Sequence, residues 1–250
     1  YGAFAHTTDE YIKTLSIPKK TKIAVMVNAS DLINFSDGIS KAVKKLFKKK
    51  DNSPVSIVRI AVHVKDIRKS KEIAKQIKLL GYKICLNIMQ VDKLKSDEIS
   101  NISSQIEKWK SIDILYFADS FGNMSPKDVK NTILSIKKGW SGKVGFHAHD
   151  NKGQAITNCL TAIDNHIDII DSTVLGMGRG AGNAKTESLL VELTNKNLGN
   201  YFAEALFPLV MQEFKTLQDK YEWGTNIYYY LSAIYGIHPT YIQEMISDER

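Results

Sequence analysis

With 250 residues, 43% of them hydrophobic, the chain can bury one sizeable core and has the usual length of a single (β/α)8 barrel. No apolar run reaches the roughly 18–20 residues that span a bilayer, and no signal-peptide pattern opens the chain, so a cytoplasmic protein without a membrane partner is expected. The net charge of +7 is almost all lysine, with arginine only at Arg59, Arg68, Arg179 and Arg250; it is spread over expected outer helix faces rather than gathered with aromatics, so no nucleic-acid partner is expected.

In chain order, residues 9–15 read as the end of a helix. Short runs rich in Val and Ile then recur at 22–28, 56–63, 83–89, 112–118, 143–149 and 167–175. Each is nearly continuously apolar, as a strand buried on both faces requires. Helical period fills the gaps: 66–80 stops at Gly81, Ser125 and Pro126 open a helix as cap and first turn, and 152–165 follows. Cys85 and Cys159 are isolated thiols in apolar patterns, expected to be buried and reduced. Beyond 197 only helices are expected, at 202–221, 225–235 and 239–247.

A strand every 25–35 residues or so is the spacing of a βα unit, and regular alternation gives a parallel sheet. Polar residues stand at the ends of many strands: Asn28, His63, Asp119, His147 and His149. An open sheet concentrates its site at one switch point, whereas a barrel gathers all its strand ends into one mouth. The expected fold is therefore a TIM (β/α)8 barrel over residues 1–198, followed by a C-terminal helical segment over 199–250. Six strands are two short of closure, so one or two βα units, on the order of 60 residues, are expected upstream of Tyr1; a barrel without them would keep two raw edges.

The strongest chemical signal is Gly145-Phe146-His147-Ala148-His149-Asp150. Strand residues two apart share a side, so His147 and His149 both face the mouth and can take adjacent positions on one metal ion. A chance pair making ordinary hydrogen bonds is the alternative. The second signal is Gly176-Met177-Gly178-Arg179-Gly180-Ala181-Gly182-Asn183, which follows the last strand and leads to a helix with Thr186 and Glu187 in its first turn. Gly178, Gly180 and Gly182 let backbone approach a ligand, helix-start amides favour an anion, and Arg179 adds charge, although a surface salt bridge would suit it equally. Gly176, Gly178 and Ala181 fit a dinucleotide fingerprint only loosely, with no strand following.

Together, His147-Ala148-His149-Asp150-Asn151 and the Gly-x-Gly-x-Gly-x-Gly-Asn run resemble the DRE-TIM metallolyase (HMG-CoA lyase-like) family over roughly 22–196. Within that family the chain is most similar to the 4-hydroxy-2-oxovalerate aldolase-like branch, because an aromatic helical tail follows the barrel directly. The resemblance implies a divalent cofactor, Mn2+ or Mg2+, held by His147, His149 and Asn183. It implies supporting roles for Asp119, in Ala118-Asp119-Ser120-Phe121-Gly122, and for Asp150. A helix cap or loop-forming role is the alternative for Asp119. The implied reaction is cleavage of a 4-hydroxy-2-oxoacid to pyruvate and an aldehyde. A Claisen-type synthase joining acetyl-CoA to a 2-oxoacid would use the same residues, and a non-catalytic assembly subunit is a third reading. A homodimer or an aldehyde dehydrogenase partner would suit the tail, whose tyrosines otherwise read as packing. The family's Arg-Asp motif, with its acidic ligand and arginine, and the aldolase branch's histidine base have no counterpart here; they are expected before Tyr1. His6 and His63 are the weak substitutes, and His166 and His238 read as structural.

Overall fold

The computed structural model describes residues 8–248. Helix α1 (Asp9–Thr14) is capped by Thr8, whose hydroxyl accepts the Tyr11 amide. Then come β1 (Ile23–Asn28), α2 (Ala29–Ile33), α3 (Ile39–Leu46), β2 (Val55–His63), α4 (Ile67–Leu79), β3 (Lys83–Met89), α5 (Ser96–Glu107) and β4 (Ile114–Asp119). The alternation continues with α6 (Pro126–Gly139), β5 (Lys143–Ala148), α7 (Ala155–Asp164), β6 (Ile169–Ile170) and α8 (Thr186–Asn195). Helices α9 (Phe207–Leu209), α10 (Lys215–Tyr221), α11 (Ile227–Tyr235) and α12 (Pro239–Ser247) end the chain. No described helix is long and apolar enough to cross a membrane.

All six strands are parallel and hydrogen-bonded in sequence order. The register aligns Asn28, Ala61, Asn87, Tyr116, Gly145 and Ile169 in one row across the sheet. Because strand side chains alternate, these residues share the inner face with Arg59, Cys85 and His147. The outer face carries Val58, Ile60, Ile84, Leu86, Leu115, Phe117, Val144 and Phe146, all fully buried beneath the helices. Phe117 and Phe146 stack there with centroids 4.6 Å apart. Burying a side chain of this size contributes about 1.5–3 kcal/mol, and this face holds most of the core. The inner face is thinner and more polar, its apolar part being Cys85, Ile114 and Tyr116 with Ile57 and Ile169.

A single contact shows how strongly the sheet curls. Arg59 on β2 and Asp171 just past β6 are four strand spacings apart, roughly 19 Å in a flat sheet. Yet Arg59 Nη1 lies 2.5 Å from Asp171 Oδ2. One arginine and one aspartate cannot bridge a flat sheet, so the sheet bends into a barrel wall with the ends of its strands facing one mouth.

Two expected elements come out differently. The strand expected over 167–175 shrinks to Ile169–Ile170. The Asp171 amide still bonds Phe146 O, but Val174–Gly176 forms a tight turn with Leu175 at φ +50°. The apolar run continues in sequence, but the polar Asp171-Ser172-Thr173 step interrupts it. The helix expected over 202–221 is broken: a 3-10 turn leads into α9, then a π-turn at Val210–Phe214, then α10. Pro208 lies in that stretch and cannot donate an intrahelical bond. Ser125 caps α6 as expected, with Pro126 in its first turn and Asp128 returning the bond.

Candidate metal and substrate site

Strand β5 ends at Ala148, and His147 within it and His149 just past it both stand at the mouth. His147 Nδ1 lies 2.9 Å from Asp171 Oδ2, and His149 Nδ1 lies 2.7 Å from the Asp119 carbonyl. Both partners are acceptors, so each Nδ1 carries a proton, and in the neutral ring Nε2 is left with its lone pair. That is the arrangement of a histidine prepared for a metal, oriented from behind by an oxygen. The rings stand nearly perpendicular, with centroids 4.8 Å apart. With metal–nitrogen bonds of about 2.1 Å, two imidazoles bound through Nε2 at a right angle place their centroids about 4.6 Å apart. The spacing of the two rings would allow both to reach one ion. Burial, helped by electrostatic interaction with His147, Arg179 and His238, pushes the His149 pKa down to about 4, which keeps that ring neutral near pH 7.

Asn183 is brought to the same place by backbone pairing. It forms an antiparallel bridge with His149, while the Asp150 amide bonds Gly182 O and the Ala184 amide bonds Ala148 O. The Asn183 amide nitrogen donates to Met177 O at 3.0 Å, leaving Oδ1 outside that bond. The glycines make this fold-back possible. A Cβ on Gly178 would lie 2.4 Å from Asn183 Nδ2, and one on Gly182 (φ +79°) would lie 2.3 Å from Gly176 O. The loop is not the first turn of a helix, because α8 begins only at Thr186, and Glu187 there accepts the Leu175 amide. Arg179 is exposed at the loop tip, and its charge acts on His149, His238 and Tyr229.

The supporting carboxylates have separate jobs. Asp119 is fully buried and accepts the amides of Asn123 and Met124, so it forms the β4–α6 loop, while its own carbonyl holds His149. Asp150 makes no side-chain hydrogen bond to either histidine among the described residues. It accepts the Ala155 amide at the start of α7, and its carbonyl accepts the Thr225 hydroxyl at 2.6 Å. His63 ends β2 and lines a cavity beside the mouth. His238 caps α12 and meets Phe121 edge-on, which places it at the mouth as well. His166 is at φ +59° in the α7–β6 turn, away from the site; Asn28 donates to Asp31. His6 lies outside the described residues. Cys85 and Cys159 are buried free thiols, pushed up to about 11 and about 12 by burial.

Sequence reasoning missed Asp171 and Arg59. Asp171 Oδ2 accepts from both His147 and Arg59, and Arg59 Nη2 reaches Asn87 Oδ1 at 3.4 Å while its guanidinium lies 4.0 Å from the Tyr116 ring. Burial pushes the Asp171 carboxyl up, but the His147 hydrogen bond and the Arg59 charge together outweigh it and leave the pKa lowered. The available signal was position: Asp171 is a polar residue two beyond Ile169 on the inward side of its strand. Among the described residues no group of three or more His, Cys, Asp or Glu side chains is placed to hold a metal ion. Two imidazoles beside an asparagine amide oxygen are donor types that a divalent ion accepts.

The site is thus a curled parallel sheet with paired histidines at its strand ends and a glycine loop folded against them. The HMGL-like family model matches residues 55–207, and the chain belongs to that family. It is 27% identical to 4-hydroxy-2-oxovalerate aldolase 2 of Nocardia farcinica over 84% of this chain and 57% of that protein. It is 32% identical to 4-hydroxy-2-oxovalerate aldolase of Carboxydothermus hydrogenoformans over 77% of this chain and 54% of that one. The chain thus spans about half the length of the curated relatives it matches. Among solved structures, the N-terminal domain of a Bacteroides vulgatus protein assigned as an aldolase aligns with TM-score 0.75 and 34% identity, over 91% of this chain and 73% of that one. HMG-CoA lyase of Bacillus subtilis shares the fold, with TM-score 0.66 at 15% identity over 88% of this chain and 80% of that one.

Proposed function

We propose that this chain carries the histidine half of a divalent-metal-dependent aldolase, a carbon–carbon lyase that cleaves a 4-hydroxy-2-oxoacid to pyruvate and an aldehyde. The observation that carries the reading is the histidine pair whose Nδ1 atoms are both held by oxygen acceptors. The names of the curated relatives support the reaction class.

In this reading His147, His149 and the Asn183 oxygen hold the ion, Mn2+ or Mg2+. Bound there, the ion supplies Lewis acidity toward the carboxylate and 2-keto oxygens of the substrate and toward the negative charge that grows as C3–C4 breaks. Asp171 keeps the His147 proton on Nδ1, and Arg59 keeps Asp171 ionised and in place. The Asp119 carbonyl does the same positioning for His149. Gly178 leaves the Asn183 amide room, and Arg179 adds positive charge where an anionic substrate enters. Asp119 and Asp150 shape the two loops that bound the mouth. The buried thiols suit a cytoplasmic setting. Exposed apolar residues on α11, among them Tyr228, Ile234 and Tyr235, would serve a second copy of the chain or an aldehyde dehydrogenase partner.

The test is pyruvate release from 4-hydroxy-2-oxopentanoate by the full-length protein supplied with Mn2+, followed by coupled NADH oxidation. Pyruvate that appears only with metal, and disappears in His147→Ala, is expected. Thiol release from acetyl-CoA in the presence of a 2-oxoacid, without pyruvate release, would replace this reading by the Claisen-type one.

A further inference from the structure

Beside the histidine pair the mouth holds a second concentration of positive charge. A cavity of about 400 Å3 opens at the ends of β2 and β3, and its lining includes His63, Lys65, Gln90 and Lys93 and no carboxylate. Gln90, at φ +57°, bonds through its amide to the Ser120 hydroxyl at 2.9 Å, which ties this rim to the loop after β4. In that loop Phe121 is buried. Lys93 Nζ stands 4.4 Å from its ring centroid, and the His238 imidazole meets it edge-on at 5.9 Å. Lys93 and His238 therefore bracket one aromatic ring, one from the loop after β3 and the other from the cap of α12.

Burial first, then interaction with Arg179, Lys93 and His63, lowers the His238 pKa, and Arg179 and His238 in turn interact with His149. Basic groups from four separate loops thus converge next to the proposed metal ligands. Among the described residues, His63, Lys65, Lys93 and Arg179 form no salt bridge. Asp92, whose carboxyl is pushed up by burial, is the acidic neighbour of Lys93. Like charges gathered over an apolar floor repel one another, and an anion removes that repulsion.

We infer that this mouth takes a substrate with a second anionic group, a phosphate or carboxylate on its aldehyde half, held by Lys93, Lys65, His63 and His238. Arg179 acts electrostatically on both His238 and His149. The inference rests on the aldolase reading above and departs from the substrate named for the relatives: 4-hydroxy-2-oxovalerate has an uncharged methyl group on C4, so its aldehyde half carries no anion. The chemistry is unchanged and balanced. In the synthetic direction pyruvate C3 loses a proton, the C3–C4 bond forms at the aldehyde carbon, and the aldehyde oxygen gains the proton to become the 4-hydroxyl.

The experiment is aldol addition of pyruvate by the full-length Mn2+-loaded protein to two anionic aldehydes, glyceraldehyde 3-phosphate and succinic semialdehyde, and to neutral glyceraldehyde and butanal. The expected result is a kcat/KM for at least one anionic aldehyde roughly tenfold above its neutral counterpart, the scale of two or three partly exposed charge pairs. The two anionic arms distinguish phosphate from carboxylate. In Lys65→Ala/Lys93→Ala that ratio should fall toward one, whereas Lys93→Arg should keep it. A ratio near one in the native protein, or an undiminished ratio in the double variant, overturns the inference. If no aldehyde reacts, the aldolase reading fails, and the subsite is judged separately by calorimetric titration with inorganic phosphate. A Kd weakened at least fivefold in the double variant supports the subsite; an equal Kd, or no binding, overturns it.

Discussion

Replacing Asp171 by alanine removes the shared acceptor of His147 and Arg59. His147 loses the oxygen 2.9 Å from its Nδ1, so its ring can turn and its proton can move to Nε2, the atom that must stay bare to bind a metal. Loss of such an oxygen behind a metal-binding histidine costs about 10–100-fold in metal affinity, or about 1.4–2.8 kcal/mol. Arg59 is left with Asn87 at 3.4 Å and the Tyr116 ring at 4.0 Å. The ion pair is mostly buried, with side chains 17% and 23% exposed, so breaking it should cost about 3 kcal/mol of stability. Asp171→Asn separates the two effects. Both partners donate to the same oxygen, so an amide oxygen can replace it and orient His147 while the negative charge is lost. Mn2+ binding followed by the electron paramagnetic resonance of the free ion, with urea unfolding alongside, gives both quantities. The order expected for Mn2+ affinity is native, then Asn, then Ala. If Asp171→Ala unfolds more easily yet binds Mn2+ within about twofold of the native protein, Asp171 holds the sheet but does not position His147.

Three further outcomes follow from the geometry. Gly178→Ala puts a Cβ 2.4 Å from Asn183 Nδ2 at a backbone angle any residue adopts, so it should displace the Asn183 amide and weaken Mn2+ binding roughly tenfold while costing only about 1–3 kcal/mol, as titration and urea unfolding of the same sample would show. Burial holds the Asp119 carboxyl at about 7 against an ordinary 3.8, so the folded chain keeps a proton that the unfolded chain releases. Stability should then fall as pH rises from about 4 to about 7, by on the order of 4 kcal/mol if the whole difference is expressed, and Asp119→Asn should flatten that slope in urea unfolding. Trp223 is 7% exposed and donates from Nε1 to Leu175 O at 3.0 Å, so Trp223→Ala should cost about 3–5 kcal/mol at the tail–loop contact and show as faster proteolysis after residue 199.

How much of this was legible in the chain depends on how local each feature is. The strands could be read because burial on both faces forces apolar runs: β4 is buried at all six positions. His147, His149 and Asn183 could be read because each lies in a motif of consecutive residues. Arg59 and Asp171 could not, since 112 residues separate them and nothing in either neighbourhood announces the other. Their meeting is a property of curvature. An inward arginine on β2 is only a buried charge until the sheet bends far enough to bring the end of β6 across to it. His238 was hidden for a related reason. Its sequence context is an ordinary helix cap, and only the docking of the tail makes it a mouth residue. Trp223 bonds Leu175 O, Thr225 bonds Asp150 O, the Gly224 amide bonds Gly180 O, and Tyr229 packs 3.1 Å from where a Cβ on Gly180 would sit. These contacts fall on the two loops that carry Asp150 and the glycine run. The C-terminal helices therefore help set the loops around the histidine pair, and the aromatic tail, which alone reads as packing, belongs to the architecture of the site.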